Sequence, residues 1–170
     1  ESTGIYSPCY IRTNVPLYRI DPEDGSMTII RNLPEHVYNV SFARDGQTFA
    51  FTGRNGDRLT EVFVSVSGGT PGIISEMNNQ ISGWKTALSE VITWKSRDGA
   101  LIEGVLHKPK DYDPLKKYPL LVIIHGGPTG TDSPTPVPGG GVYPGLQWLD
   151  KGCLILRPNY RGSEGYGEAF

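Results

Sequence analysis

The sequence predicts two β-rich halves of different kinds: an antiparallel region of short hairpins, then the opening of an α/β domain built on a mostly parallel sheet. Three observations carry this prediction. As far as about Ile74, apolar and polar residues alternate in short runs separated by Gly-containing turns, as in "VYNVSFARDGQTFAFTGRNG". That is the period-two pattern of half-buried antiparallel strands. From Leu120 to Ile124 the alternation gives way to an unbroken run of large aliphatic residues, as expected of a strand covered on both faces of a parallel sheet. Between that run and a second one, Cys153 to Leu156, lies a helical pattern with Leu146 and Leu149 on one face. Strand, crossover helix and strand make a parallel unit, right-handed by strong preference.

The elements follow in order. Leu17 to Ile20 and Met27 to Ile30 bracket the turn "DPEDGS". Val40 and Phe42 then share one face of a strand, and Phe49 and Phe51 one face of the next. Asp45-Gly46, Asn55-Gly56 and Gly68-Gly69 lie between such runs and supply the positive φ that tight hairpins require. A faint repeat underlies them: "LYRI" at 17 resembles "VFVS" at 62 (62−17=45), and "II" at 29 recurs at 73 (73−29=44). A period near 45 residues with four strands per unit fits β-propeller blades. A plain meander in a β-sandwich is the other reading of the same hairpins.

"EMNNQISGW" reads as a linker, which divides the chain into residues 1–83 and 84–170. After it, Val91 to Lys95 and Leu101 to His107 flank Arg97-Asp98-Gly99 as a hairpin, and "KPKDYDPLKKYP" is a polar, Pro-punctuated surface loop. A helix is expected over Leu146 to Lys151, stopped by Gly152. The last residues, "SEGYGEAF", read as the start of another helix.

Composition narrows the functional classes. A formal net charge of −2 over 170 residues provides no basic field, which argues against nucleic acid or an anionic membrane as partner. No apolar run approaches the ~20 residues needed to cross a bilayer. Cys9 and Cys153 have no metal-ligand spacing, and Cys153, opening "CLILRP", reads as a small buried hydrophobe. "DPEDGS" lacks the alternating ligands and closing Glu of a calcium loop. "GGPTGTDS" lacks the Lys of a phosphate-binding loop. Neither cofactor nor metal is expected. The chain opens on Glu1 rather than Met, so the compartment is open, a cytoplasmic location being favoured over a periplasmic or secreted one.

The chemistry is concentrated where the aliphatic run ends, in "LLVIIHGGPTG". Ligands of open α/β sheets sit beyond the carboxyl ends of the strands, and His125-Gly126-Gly127 occupies that place. Glycines let backbone approach a ligand closely and present N–H groups to it. In acyl transfer, a fixed donor aimed at the developing oxyanion is worth about 10²–10³ in rate. The loop therefore has the character of half an oxyanion hole.

"HGGP" after an aliphatic strand, followed by "LRPNYRGSEGYGEAF", resembles the peptidase domain of the prolyl oligopeptidase family of serine peptidases, in the branch of the acylaminoacyl peptidases. The resemblance implies an α/β-hydrolase sheet, here its N-terminal part, preceded by antiparallel β-propeller blades, and short peptides as substrates. It implies that Gly126 and Gly127 carry the oxyanion loop, with the Gly127 N–H as the favoured donor. His125 would hold the loop by hydrogen bonding rather than act as a base. "NYRGS", Asn159 to Ser163, would lie beside that loop, with Arg161 bracing its neighbours. "TDSPTPVPGGGVYPG" either edges the substrate entrance or runs as loose surface chain.

The family's nucleophile needs Gly-x-Ser-x-Gly on a strand-to-helix turn, and no serine in the sequence has glycine two residues away on both sides. Ser163 has Gly165 after it but Arg161 before it. His36 and His107 read as structural. The catalytic Ser, Asp and His are thus expected beyond Phe170, and the chain is expected to be inactive alone. A carboxylesterase of the same fold and a non-catalytic β-rich binding module are the alternatives. Endo- or exopeptidase action, the preferred side chain and oligomeric state are not encoded in these residues.

Overall fold

A computed structural model of the protein describes residues 4–66, 69–127, 129–139 and 142–170. The chain forms two compact units, Glu1–Gln80 and Ile81–Phe170.

In the first unit every strand pair is antiparallel, and an isolated parallel bridge joins Val15 to His36. Strands β1 (Ile5–Pro8), β2 (Leu17–Ile20) and β3 (Met27–Ile29) form one sheet in that order. A second sheet holds β4 (His36–Phe42), β5 (Thr48–Arg54), β6 (Glu61–Val66) and β7 (Gly72–Ile73), also in chain order. Val15 bridges the two sheets, donating to Glu35 O at 3.0 Å and accepting from Val37 N at 2.9 Å. The β4–β5 turn is organised by Asp45, whose Oδ1 accepts the N–H groups of Gln47 and Thr48 at 2.9 and 2.8 Å. Gly46 there takes φ +66°. Alternation places Phe49, Phe51 and Phe63 inward with Leu17 and Val37. The Phe51 and Phe63 rings stack with centroids 5.0 Å apart.

The sequence repeat has a structural counterpart here. Tyr18 pairs with Ile29 across β2 and β3, and Phe63 pairs with Ile73 across β6 and β7. The two copies thus mark equivalent hairpins. Alternation fails in one place: β4 has a bulge between Tyr38 and Ser41, with Asn39 at φ +47°. Val40 still packs against the core, whereas Phe42 lies at its exposed rim against Tyr6 and Phe49. The expected Gly68-Gly69 turn includes Gly68, which lies outside the described residues. The expected linker begins as a 3-10 turn, Met77–Ile81, whose Met77 and Asn78 N–H groups bond the buried Glu61 carboxylate at 2.9 and 2.8 Å.

In the second unit, β8 (Leu88–Lys95), β9 (Leu101–Lys108), β10 (Leu120–Val122) and β11 (Leu154–Asn159) form one sheet in the order β10-β11-β9-β8. The β8–β9 hairpin turns through Gly99 at φ +87°. β10 and β11 are parallel, and β11 runs antiparallel to β9. The connection between β10 and β11 contains one helix, α1 (Gly145–Asp150). Its Leu149 and Leu146 pack on Ile123, Ile155 and Ala87, and Gly152 follows at φ +82°. Both cysteines are free and half-buried.

Two expectations are corrected. β10 is not covered on both faces: Leu121 and Ile123 point into the core, but Leu120, Val122 and Ile124 are exposed. It is the edge strand of the sheet, and α1 covers only one side of it. The terminal "SEGYGEAF" is not helical but runs in turns, because Gly162, Gly165 and Gly167 all take positive φ, between +86° and +90°. Positive φ recurring at these positions defeats a right-handed helix. Among the described residues, no helix is long and apolar enough to cross a membrane.

Candidate active site

The parallel pairing of β10 with β11 brings two loops side by side at the carboxyl ends of these strands. One is residues 125–132, the other 159–166. The first begins at His125. Its Nδ1 lies 3.2 Å from Gly126 O, and its Nε2 lies 3.0 Å from Ser163 Oγ. A carbonyl oxygen only accepts, so Nδ1 carries the proton and Nε2 accepts from the Ser163 hydroxyl. The imidazole stacks on Tyr160 at 4.5 Å between centroids, and the Tyr160 hydroxyl donates to His125 O at 2.7 Å.

These bonds hold two successive peptide units by their carbonyls. Peptide planarity then sets the directions of the Gly126 and Gly127 N–H groups, each opposed to the carbonyl before it. Among the described residues neither N–H is used in a backbone hydrogen bond. Glycine is required at specific places. Gly127 sits at φ +131°, and a Cβ on Gly130 would lie 2.7 Å from Gly126 O and 3.0 Å from His125 Nδ1. Gly126 has open space where a Cβ would stand.

The rest of the loop is zipped to the second one. Glu164 N donates to Thr129 O at 3.0 Å, and Thr131 Oγ1 to Glu164 O at 2.7 Å. Asn159 is fully buried. It accepts Asp132 N–H at 2.8 Å and donates to Asp132 O at 2.9 Å, engaging a whole backbone residue as a neighbouring strand would. Its Nδ2 also lies 3.1 Å from the Tyr166 hydroxyl, which donates to Glu103 at 3.0 Å. The Asp132 carboxylate pairs with Arg157 at 2.7 Å. Arg161 pairs with Asp98 in the β8–β9 turn at 2.7 Å. Ser163 is 5% exposed and is followed by turns, whereas a nucleophile elbow presents its serine ahead of a helix.

His36, in the first unit, and His107, in β9 of the second, are completely buried. His36 Nε2 bonds Thr13 O at 2.8 Å. His107 Nδ1 bonds Ser89 Oγ at 2.7 Å, and Ser89 in turn donates to Thr135 O at 2.8 Å. Burial, then the charge of Arg157, push the His107 pKa down to about 4. Asp132, Tyr166 and Glu103 were not distinguished by any sequence signal, since polar residues in Gly-rich loops are ordinary. No group of three His, Cys, Asp or Glu able to hold a metal occurs among the described residues.

Comparison with known proteins places this arrangement in context. No family model matches the chain. The chain is 28% identical over its whole length to the uncharacterized peptidase YuxL of Bacillus subtilis, and spans 25% of that protein. Over 36% of its length it is 39% identical to dipeptidyl-peptidase 5 of Aspergillus fumigatus, of which it covers 8%. Among solved structures, the acylaminoacyl peptidase of Pyrococcus horikoshii superposes with a TM-score of 0.75 at 23% identity, over 100% of this chain and 25% of that one. An acylaminoacyl peptidase in complex with Z-Gly-Gly-Phe-chloromethyl ketone gives 0.76 at 23% identity, over 99% of this chain and 25% of that one. In sequence the chain is therefore related to peptidases. In fold it matches a segment of prolyl oligopeptidase-family proteins, spanning about a quarter of their length.

Proposed function

We propose that the chain is a segment of a serine peptidase that hydrolyses short peptides by acyl transfer, and that Gly126 and Gly127 form the part of its oxyanion hole contributed by the loop after β10. The observation that carries this reading is a pair of peptide units held by their carbonyls while their N–H groups are uncommitted among the described residues. Fixed donors of this kind cost no reorganisation when charge develops on the substrate carbonyl oxygen. Gly127 N–H is the favoured donor. The relation to named peptidases supports the reaction class, and the blocked tripeptide bound by one structural neighbour supports a short peptide as substrate.

In this reading the first unit is the end of a β-propeller, supported by its matching hairpins about 45 residues apart, and the second is the start of an α/β-hydrolase domain. The catalytic Ser, Asp and His belong to sequence outside residues 1–170. Ser163 faces a histidine, but that imidazole is oriented by a peptide carbonyl rather than a carboxylate, and the serine is buried. It is a poor nucleophile in this setting.

The test is fluorophosphonate labelling of the chain, read by intact mass. No adduct is expected, and a stoichiometric adduct on Ser163 or Ser133 would overturn the assignment. In a longer polypeptide that includes the triad, blocked and unblocked peptides should be cleaved in preference to simple esters; the reverse preference would point to a carboxylesterase.

A further inference from the structure

The His125–Ser163 pair is not explained by a loop that merely needs to be held. Tyr160 already stacks on the imidazole and bonds the His125 carbonyl, and backbone bonds join Thr129 to Glu164. What the Ser163 hydroxyl adds is a proton donor for the ring nitrogen that the Gly126 contact leaves bare. Imidazole in water favours the Nε2–H form. Here Nδ1 faces Gly126 O at 3.2 Å and must carry the proton, so Nε2 must be a bare acceptor. Ser163 Oγ, 3.0 Å away and almost completely buried, has no other hydrogen bond among the described residues. Its proton therefore goes to Nε2. The result is a directed chain from the Ser163 O–H to His125 Nε2, and from His125 Nδ1–H to Gly126 O, whose peptide carries the Gly127 N–H.

We infer that Ser163 is a positioning residue: the Gly126 carbonyl calls for the proton on Nδ1, Ser163 supports that Nδ1–H tautomer by donating to the bare Nε2, and through the Gly126 carbonyl the pair orients the Gly127 N–H. This rests on the oxyanion reading for its catalytic consequence, but the tautomer itself does not. In the opposite tautomer Nε2–H would donate to Ser163, and the Nδ1 lone pair would face the Gly126 carbonyl oxygen. That repulsion would rotate the peptide and turn the Gly127 N–H with it. Hydrogen bonding at one ring nitrogen deciding the state of the other is a general property of histidine.

Gly130 supports the same geometry. A side chain there would meet both Gly126 O and His125 Nδ1, so the absence of a Cβ leaves room for that hydrogen bond and no other arrangement of the ring is needed to explain it.

The experiment is long-range ¹H–¹⁵N NMR of the histidine rings, in which a protonated ring nitrogen and a bare one give widely separated ¹⁵N shifts. For His125 the expected result is a proton on Nδ1 and a bare Nε2. Ser163→Ala should move the population toward Nε2–H, whereas Tyr160→Phe, which leaves the Ser163 hydroxyl in place, should not. A wild-type protein already in the Nε2–H form overturns the inference. So does an unchanged tautomer in Ser163→Ala, or an equal shift in Tyr160→Phe. In the longer, active polypeptide, Ser163→Ala should lower kcat by about 10- to 100-fold with KM nearly unchanged, and Ser163→Thr should recover most of it. A loss confined to KM would count against orientation of a donor that acts in the transition state. If the tautomer follows Ser163 but no longer polypeptide hydrolyses peptides, the oxyanion reading fails and the side-chain chain stands.

Discussion

His107 provides a sharp test of the second unit's energetics. It has no exposed surface, and its Nδ1 is tied to Ser89 at 2.7 Å. Because Ser89 gives its proton to Thr135 O, the imidazole is neutral with the hydrogen on Nδ1, and Nε2 is buried without a partner among the described residues. Burial, reinforced by the charge of Arg157, lowers its pKa from 6.5 to about 4. The unfolded chain thus takes up a proton near pH 6.5, while the folded chain resists until about pH 4. Between these values the unfolded state binds more protons, so stability falls as pH falls. Integrating the difference gives a loss of about 2 kcal/mol by about pH 5 and about 3 kcal/mol by about pH 4, with little further loss below. The perturbation is His107→Asn, whose amide keeps a donor near the Nδ1 position but does not titrate. Urea unfolding of both proteins across this range would isolate the effect. His36, also lowered by burial and then by Arg54, adds the same trend to both proteins and cancels in the difference. The variant should start less stable at neutral pH and converge on the wild type as pH falls. Parallel stability curves would refute the argument that a buried neutral imidazole carries this pH dependence.

Two further predictions concern the paired loops. Gly126→Ala meets open space and should leave the loop intact, whereas Gly127→Ala is strained at φ +131° and Gly130→Ala collides with Gly126 O. In the longer polypeptide, the latter two should lower kcat for a peptide substrate by about 10²-fold or more, against a few-fold for Gly126→Ala; equal losses at all three would remove the steric argument. Asn159→Asp keeps an acceptor for Asp132 N–H but loses the donor to Asp132 O and to Tyr166. It also buries a carboxylate near that of Asp132, and should destabilise the second unit by about 3 kcal/mol or more in chemical denaturation.

Much of the fold was legible because its signals are local. Gly46 in a tight turn, the inward Phe49 and Phe51, and the hairpin flanking Asp98-Gly99 all follow from residues within one or two strands of each other. The repeat was legible for the same reason, since Tyr18–Ile29 and Phe63–Ile73 are equivalent neighbours in matching hairpins. The misreadings occurred where a local pattern underdetermines its surroundings. The aliphatic run in β10 says that its residues favour burial, but not how many layers cover them. The last segment reads as the start of a helix, but Gly165 and Gly167 within it and Gly162 just before it take left-handed φ.

The site divides along the same line. His125-Gly126-Gly127 stood out in the sequence because glycines after a strand let backbone N–H groups approach a ligand. What holds those residues could not, because every partner is distant in sequence: Ser163 for His125, Tyr160 for its carbonyl, Asn159 for Asp132. An asparagine near a strand end has many possible hydrogen-bond partners, and the sequence does not rank them. The parallel register of Leu120–Val122 against Leu154–Leu156 does, since it sets the ends of both strands side by side and brings His125 against "NYRGS". The two motifs carry meaning together because one strand pairing makes them a single structure, and the His125 that holds the Gly126 carbonyl is itself held by a serine in the other loop.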